Sequence, residues 1–125
     1  MANVKTQIEY PVKCKPALLY TYLTDPVFLS QWFADKVESH GDHWTFNWNG
    51  EVVEGKVVDK KINAAVKFEL DYHQADEYIQ LQIVVDAITE EIELLITDFC
   101  EVGEEEDLKL LWDTSIQRLH RAVGA

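Results

Sequence analysis

Glu105-Glu106-Asp107-Leu108-Lys109-Leu110-Leu111-Trp112-Asp113-Thr114-Ser115-Ile116-Gln117-Arg118-Leu119-His120-Arg121-Ala122-Val123 is the stretch on which the fold turns. Leu108, Leu111, Trp112, Ser115, Ile116, Leu119, Ala122 and Val123 recur at spacings of three and four. On a helical wheel they gather into one apolar stripe roughly 140° wide. The acidic run sits at the positive N-terminal end of the helix dipole, and Arg118 and Arg121 sit near its negative end. Gly124 is a natural C-cap. A helix of this length extends roughly 27 Å and needs a broad surface on which to bury its stripe.

The rest of the chain supplies that surface as strands. Val4, Thr6, Ile8 and Tyr10 alternate with Lys5, Gln7 and Glu9, the period of a strand with one face in a core. Pro16 opens a short helix to Leu23. Thr24-Asp25-Pro26 ends it and begins another, Pro26 to Phe33, with Asp25 as N-cap. Lys36 to Ser39 is a weak strand that turns at Gly41-Asp42. His43 to Trp48 then alternates Trp44, Phe46 and Trp48 against His43, Thr45 and Asn47. Asn49-Gly50 is a two-residue hairpin turn into a strand from Glu51 to Ile62, with a bulge expected near Gly55. After a turn at Asn63-Ala64, the series Val66, Phe68, Leu70, Tyr72 predicts another strand. A turn at Gln74-Ala75-Asp76 leads to a strand over Glu77 to Asp86, and Ile92, Leu94 and Ile96 mark the last one. About seven strands joined by short turns predict an α+β domain built on an antiparallel sheet, rather than βαβ units.

At 125 residues there is room for one core, and the chain reads as a single domain over 1–125. The 11 basic and 23 acidic side chains leave a formal charge of −12. That balance argues against nucleic acid and anionic membrane surfaces as partners. Cys14 and Cys100 have neither CxxC spacing nor a histidine cluster, which predicts buried small apolar residues in a reducing compartment. With no apolar signal core at the start and no stretch long enough to span a bilayer, the expected location is the cytoplasm.

A strand, two short helices, a six-strand meander and a long C-terminal helix follow the order of the helix-grip fold. The chain therefore resembles the START-like superfamily, which includes birch-pollen-allergen-like proteins, polyketide cyclases and lipid-transfer domains. Thr24-Asp25-Pro26-Val27-Phe28-Leu29-Ser30-Gln31-Trp32-Phe33 is similar to the segment after the first helix in the branch of the heat-shock-protein-90 ATPase activator C-terminal domain. Trp112 and Leu119 resemble that branch's final-helix pattern. The glycine-rich, tryptophan-containing middle segment of its better-known members is missing here, so their substrates and partners are not carried over. The chain looks most like a compact bacterial START-like domain.

The resemblance implies a curved sheet that holds the long helix off its centre, with an apolar pocket between them. Ser115 strengthens that expectation, because it sits mid-stripe where Leu or Ile would fill space better. The expected lining is Trp32, Trp44, Phe46, Trp48, Phe68, Leu81, Ile83, Leu94, Ile96, Asp98, Leu111, Trp112 and Ser115. A filled core, with Ser115 bonded back to a helix carbonyl, is the other reading. Asp98 shares a strand face with Ile92, Leu94 and Ile96. A regular strand points it inward, as a ligand-orienting group or an acid; a bulge before it leaves it at a solvated rim.

Other polar groups carry less. His40 and His43 flank Gly41-Asp42 near Glu38, but no third ligand follows, so no metal is expected. His73, and His120 on the outer helix face, read as solvated. No nucleophile elbow or phosphate loop is present, and no cofactor is expected. Leu110 lies opposite the stripe and, with Leu95 and Phe99, suggests an outer face for a protein partner or a second copy. The first functional reading is thus a non-enzymatic domain that binds a small hydrophobic molecule, in a void of a few hundred Å3. A co-chaperone-like interaction module with a filled core comes second. A cyclase- or dehydratase-type enzyme, needing Asp98 or a histidine in the pocket, comes third.

Overall fold

The computed structural model describes residues 3–124. Among them, seven strands form one antiparallel sheet: β1 (Asn3–Pro11), β2 (Lys36–His40), β3 (His43–Trp48), β4 (Glu51–Lys61), β5 (Ala65–Leu70), β6 (Ile79–Val85) and β7 (Ile92–Glu101). The helices are α1 (Pro16–Thr24), α2 (Pro26–Leu29) and α3 (Glu105–Val123). Across the sheet the order is β1-β7-β6-β5-β4-β3-β2. The last strand lies beside the first, and every other neighbour is a sequential hairpin. This is an α+β helix-grip architecture, with the curved sheet wrapped around α3.

The strand periods act as the residues predict. Phe46, Phe68, Leu81, Leu94 and Ile96 are all fully buried on one sheet face. Asn49 and Gly50 both take positive φ, 52° and 86°, which is the backbone of a type I′ hairpin. Gly124 caps α3 in the left-handed region and donates its N–H to His120 O.

Three local expectations change. The second helix is a single turn, because the Leu29 carbonyl accepts from the N–H groups of Trp32, Phe33 and Ala34 and pulls the chain off the helix axis. Trp32 and Phe33 are thereby both buried. Ser30 secures the exit: its hydroxyl donates to Pro26 O at 2.7 Å and accepts from Val37 N–H at 2.9 Å. The bulge in β4 falls between Val57 and Asp59, not near Gly55. Gly55 instead lies against β5 so closely that a Cβ there would be 2.6 Å from both Glu69 O and Leu70 Cδ2. Finally, β5 ends at Leu70 and β6 spans only Ile79–Val85, so Tyr72 lies beyond its strand and is 59% exposed.

Helix α3 is tied down by polar bonds as well as by its stripe. Tyr10 on β1 donates to Asp113 Oδ1 at 2.6 Å, and Tyr22 on α1 donates to Ala122 O at 3.1 Å. His120 is half-buried, with Nε2 2.8 Å from Pro11 O, so it is not the free surface group expected. Cys14 and Cys100 are also half-buried rather than core residues; Cys100 Sγ lies 3.6 Å from Thr6 Oγ1.

Candidate functional site

α3 meets the sheet along a narrow line. Trp112, Ile116 and Leu119 are buried, and Ala122 and Val123 pack beside them. The other border of the stripe opens out: Leu108 and Ser115 are half-buried, and Leu111 is 69% exposed. Leu111 is thus not a core residue. Nineteen residues of straight helix cannot follow a curved, twisted sheet along a stripe 140° wide, so one border lifts away. Beneath it lies a hollow of about 160 Å3, lined by Phe33, Trp48, Tyr72, Ile79, Asp98, Leu108, Leu111, Trp112 and Ser115.

Its walls are aromatic and held in place. Phe33 packs edge-on against Trp48 at 5.6 Å between ring centroids, and lies 5.8 Å from Trp112. Trp48 Nε1 donates to Phe33 O at 2.8 Å, which fixes that indole.

The polar floor is Asp98. β7 runs regularly from Ile92 to Glu101 and pairs Asp98 with Thr6 of β1, so the carboxyl stays on the inward face. Asp98 Oδ1 accepts the Phe99 N–H at 2.7 Å, and Oδ2 accepts Trp112 Nε1–H at 3.0 Å. Its side chain is only 8% exposed. Burial raises its pKa from 3.8 to about 6, against the opposing pull of those two donors, with the nearby Glu77 adding a smaller push upward.

His73 reaches the same place from the β5–β6 connection. Its Nδ1 accepts the Leu70 N–H at 2.9 Å, and the His73 backbone N–H donates to Leu70 O. The acceptor role at Nδ1 puts the ring proton on Nε2, which is buried, without a hydrogen-bond partner among the described residues, and 4.0 Å from Asp98 Oδ1. Its side chain is 4% exposed. Burial holds the imidazole below its ordinary pKa, outweighing the carboxylates of Glu77 and Glu69. His73 is therefore an interior, neutral group rather than a solvated one. Glu77 is buried beside this turn and accepts from Asn3 Nδ2 and Gln74 N–H, both at 3.2 Å.

The sequence pattern of the START-like superfamily domain matches residues 1–125. This chain belongs to the START-like superfamily. A Bacteroides fragilis protein solved by solution NMR is 31% identical, with a TM-score of 0.68 over 98% of this chain and 92% of that one. The Aha1 dimer of Colwellia psychrerythraea, also solved in solution, is 19% identical with a TM-score of 0.73, covering 98% and 96%. DynU16, a putative protein in the dynemicin biosynthetic locus, is 18% identical with a TM-score of 0.75 over 97% of this chain and 47% of its own. The last two likenesses show the shared fold. No curated protein matches the chain.

Within this START-like domain, the structure separates the expected lining into two groups. Trp48, Asp98, Leu111, Trp112 and Ser115 line the hollow. Trp32, Trp44, Phe46, Phe68, Leu81, Ile83, Leu94 and Ile96 do not; they form the packed core behind it. Phe33 closes the centre by packing against Phe46, Trp48, Phe68 and Trp112 at 5.6 to 5.9 Å. The hollow is consequently smaller than a void of a few hundred Å3. Phe33, Tyr72, Ile79 and Leu108 complete it; periodicity puts Tyr72 and Leu108 on inward faces, but none of the four belongs to the expected lining. Phe33 needs the broken second helix, and Tyr72 needs the early end of β5.

The remaining sequence candidates lie elsewhere. His40 and His43 face one another across the β2–β3 turn, but each approaches a different exposed carboxylate: Glu38 at 3.8 Å and Glu54 at 3.3 Å. Leu110 is 63% exposed on the outer side of α3. Leu95 and Phe99 are half-buried on the sheet face away from α3, where Phe99 packs against Tyr78, so they form no single surface with Leu110. A larger hollow of about 320 Å3, near Val12, Cys14 and Ile92, lies at the far end of β1 and holds neither Asp98 nor His73. Among the described residues, no helix is long and apolar enough to cross a membrane.

Proposed function

We propose that this START-like domain binds a small molecule with an apolar body in the hollow between α3 and the sheet, as a binding protein rather than an enzyme. The observation that carries this reading is the hollow itself, with aromatic walls and a single buried carboxyl at its floor. Ligand sites are typically apolar concavities with a few placed polar groups. Size narrows the ligand. A cavity of about 150 Å3 accepts one benzene-sized ring, whereas drug-sized ligands need roughly 300 Å3 or more. A hollow of about 160 Å3 therefore suits one ring or a compact branched group, and not the whole acyl chain of a lipid.

The test is an NMR titration with phenol and with cyclohexanol, following the indole N–H signals of Trp48 and Trp112. Saturable shifts of both indoles support the reading. If neither indole responds while the protein remains folded, the domain does not bind small apolar molecules there.

An interaction module is the second reading, supported by adjacent exposed leucines, Leu110 and Leu111, on α3. Light scattering on the wild type and on a Leu110→Ser, Leu111→Ser variant tests it. A dimer that dissociates in the variant favours this reading, and a wild-type monomer at millimolar concentration counts against self-association. The enzyme reading has less support. No second acid or base pairs with Asp98 among the described residues, since His73 Nε2 lies 4.0 Å away, beyond hydrogen-bond reach.

A further inference from the structure

Among the described residues, Asp98 is a buried carboxyl without a positive partner. Its two donors, Phe99 N–H and Trp112 Nε1–H, are both neutral. The hollow's lining contains no lysine, arginine or histidine. His73 does not supply the missing charge. Protonating it would place a second N–H at Nδ1, directly opposite the Leu70 N–H that Nδ1 now accepts. The other titratable groups near Asp98, Glu77 and Tyr72, are acidic. An ionised carboxylate taken out of water without a counter-charge is costly, and it selects for whatever brings one.

The walls fit the same occupant. Cations bind over the faces of Trp best, then Tyr and Phe, within about 6 Å of the ring centroid. Trp48, Trp112, Phe33 and Tyr72 all border the hollow. The N–H of each indole is already committed, Trp48 to Phe33 O and Trp112 to Asp98. An incoming polar group thus meets aromatic rings, the Asp98 carboxylate and the hydroxyls of Ser115 and Tyr72, with neither indole N–H free. An anionic ligand is opposed by Asp98 and by the formal charge of −12, which draws cations toward the surface.

We infer that the ligand's polar end is a compact alkylammonium cation, paired with Asp98 and surrounded by these aromatic rings. This inference rests on the ligand-binding reading and specifies its chemistry. The volume holds a methylated ammonium head, and any longer substituent leaves past the exposed Leu111 and Tyr72.

The test compares choline with 3,3-dimethylbutan-1-ol, its uncharged carbon isostere, by NMR and calorimetric titration at about pH 8. Choline is expected to bind at least about tenfold more tightly, the ratio that roughly 1.4 kcal/mol confers. Asp98→Asn should weaken choline about tenfold and leave the isostere within about threefold. Because Asn offers one acceptor oxygen to two donors, Tyr72→Leu serves as a second variant. It keeps apolar area at an exposed position and should weaken choline more than the isostere. Equal binding of the two probes to the wild type overturns the inference while leaving an apolar ligand site in place. Choline binding that neither variant weakens overturns it as well. If neither probe, nor phenol, shifts the Trp48 and Trp112 indoles up to about 10 mM, the underlying ligand-binding reading fails too.

Discussion

Trp112 Nε1 donates to Asp98 Oδ2 across 3.0 Å, and this bond joins the middle of α3 to the inward face of β7. It also forms the boundary of the hollow, since both residues line it. Trp112→Phe keeps the ring and deletes the donor. The loss of a hydrogen bond to a charged buried group costs about 1.5–3 kcal/mol. The effect should be larger at pH 8, where Asp98 is ionised, than at pH 4.5, where it is protonated. Urea unfolding at the two pH values checks this; equal losses would mean that the bond contributes through packing alone.

Asp98 itself sets a pH dependence whose sign is opposite to that of an ordinary surface carboxylate. Its folded pKa is about 6 against an ordinary 3.8. Between those values the native state holds a proton that the unfolded state has released, so stability falls as pH rises through the interval, by roughly 3 kcal/mol in all. His73 opposes this in part, because its lowered pKa costs stability as pH falls below its ordinary 6.5. Asp98→Asn removes the first contribution. The variant's melting temperature relative to wild type should therefore rise from pH 4 to pH 7.5. Parallel curves would show that Asp98 titrates normally.

Asp113, bonded to Tyr10, shows the opposite sign. Partial burial, and then the bond to Asp113, push the Tyr10 phenol up, while that same bond, ahead of Lys109, holds Asp113 below its ordinary 3.8. The stability Asp113 contributes is present above that ordinary value and is lost as pH falls through the folded one. Tyr10→Phe should return the Asp113 carboxyl to the usual carboxylate range in a carbon-detected NMR titration. An unchanged Asp113 titration would assign its low pKa to Lys109 instead.

Gly55→Ala tests the close approach of β4 and β5. A methyl group there would lie 2.6 Å from Glu69 O, a backbone atom that cannot rotate aside. The gain of about 0.4–1 kcal/mol from a stiffer unfolded chain is outweighed by an overpacking cost of about 1–3 kcal/mol. Net destabilisation is expected in urea unfolding, and a stabilised variant would show that the strands separate without cost.

Leu111 and Leu119 separate core from rim along a single helical stripe. Leu119 is fully buried and Leu111 is 69% exposed. Leu119→Ala should cost about 2–5 kcal/mol, whereas Leu111→Ala should stay within about 0.5 kcal/mol. Loss of phenol binding in the stable Leu111→Ala variant would then report the rim of the hollow and not the fold. Equal destabilisation by both would place Leu111 in the core after all.

Much of the architecture was legible from local pattern. α3 runs from Glu105 to Val123 and β3 from His43 to Trp48, as their periods predict. The Asn49-Gly50 turn has the backbone its residues favour. The site was legible only in part. Trp48, Trp112, Ser115 and Asp98 were placed on the right faces, yet eight other predicted lining residues are packed behind the hollow. From the sequence His73 reads as solvated, because Asp71 and Asp76 lie beside it in a polar turn. Nothing within its own turn signals Asp98, 25 positions further along the chain.

The sequence by itself determined which residues share a face. A period of 2 or 3.6, a hairpin turn and a helix cap are properties of a few neighbouring residues and their backbone angles. Tertiary structure decided depth. A straight helix on a curved sheet touches along a line, so Leu119 is sealed and Leu111 is not. That same curvature brings Asp98 of β7, His73 of the β5–β6 connection and Trp112 of α3 to one point. Burial and charge at that point depend on contacts between distant segments, which no local pattern encodes.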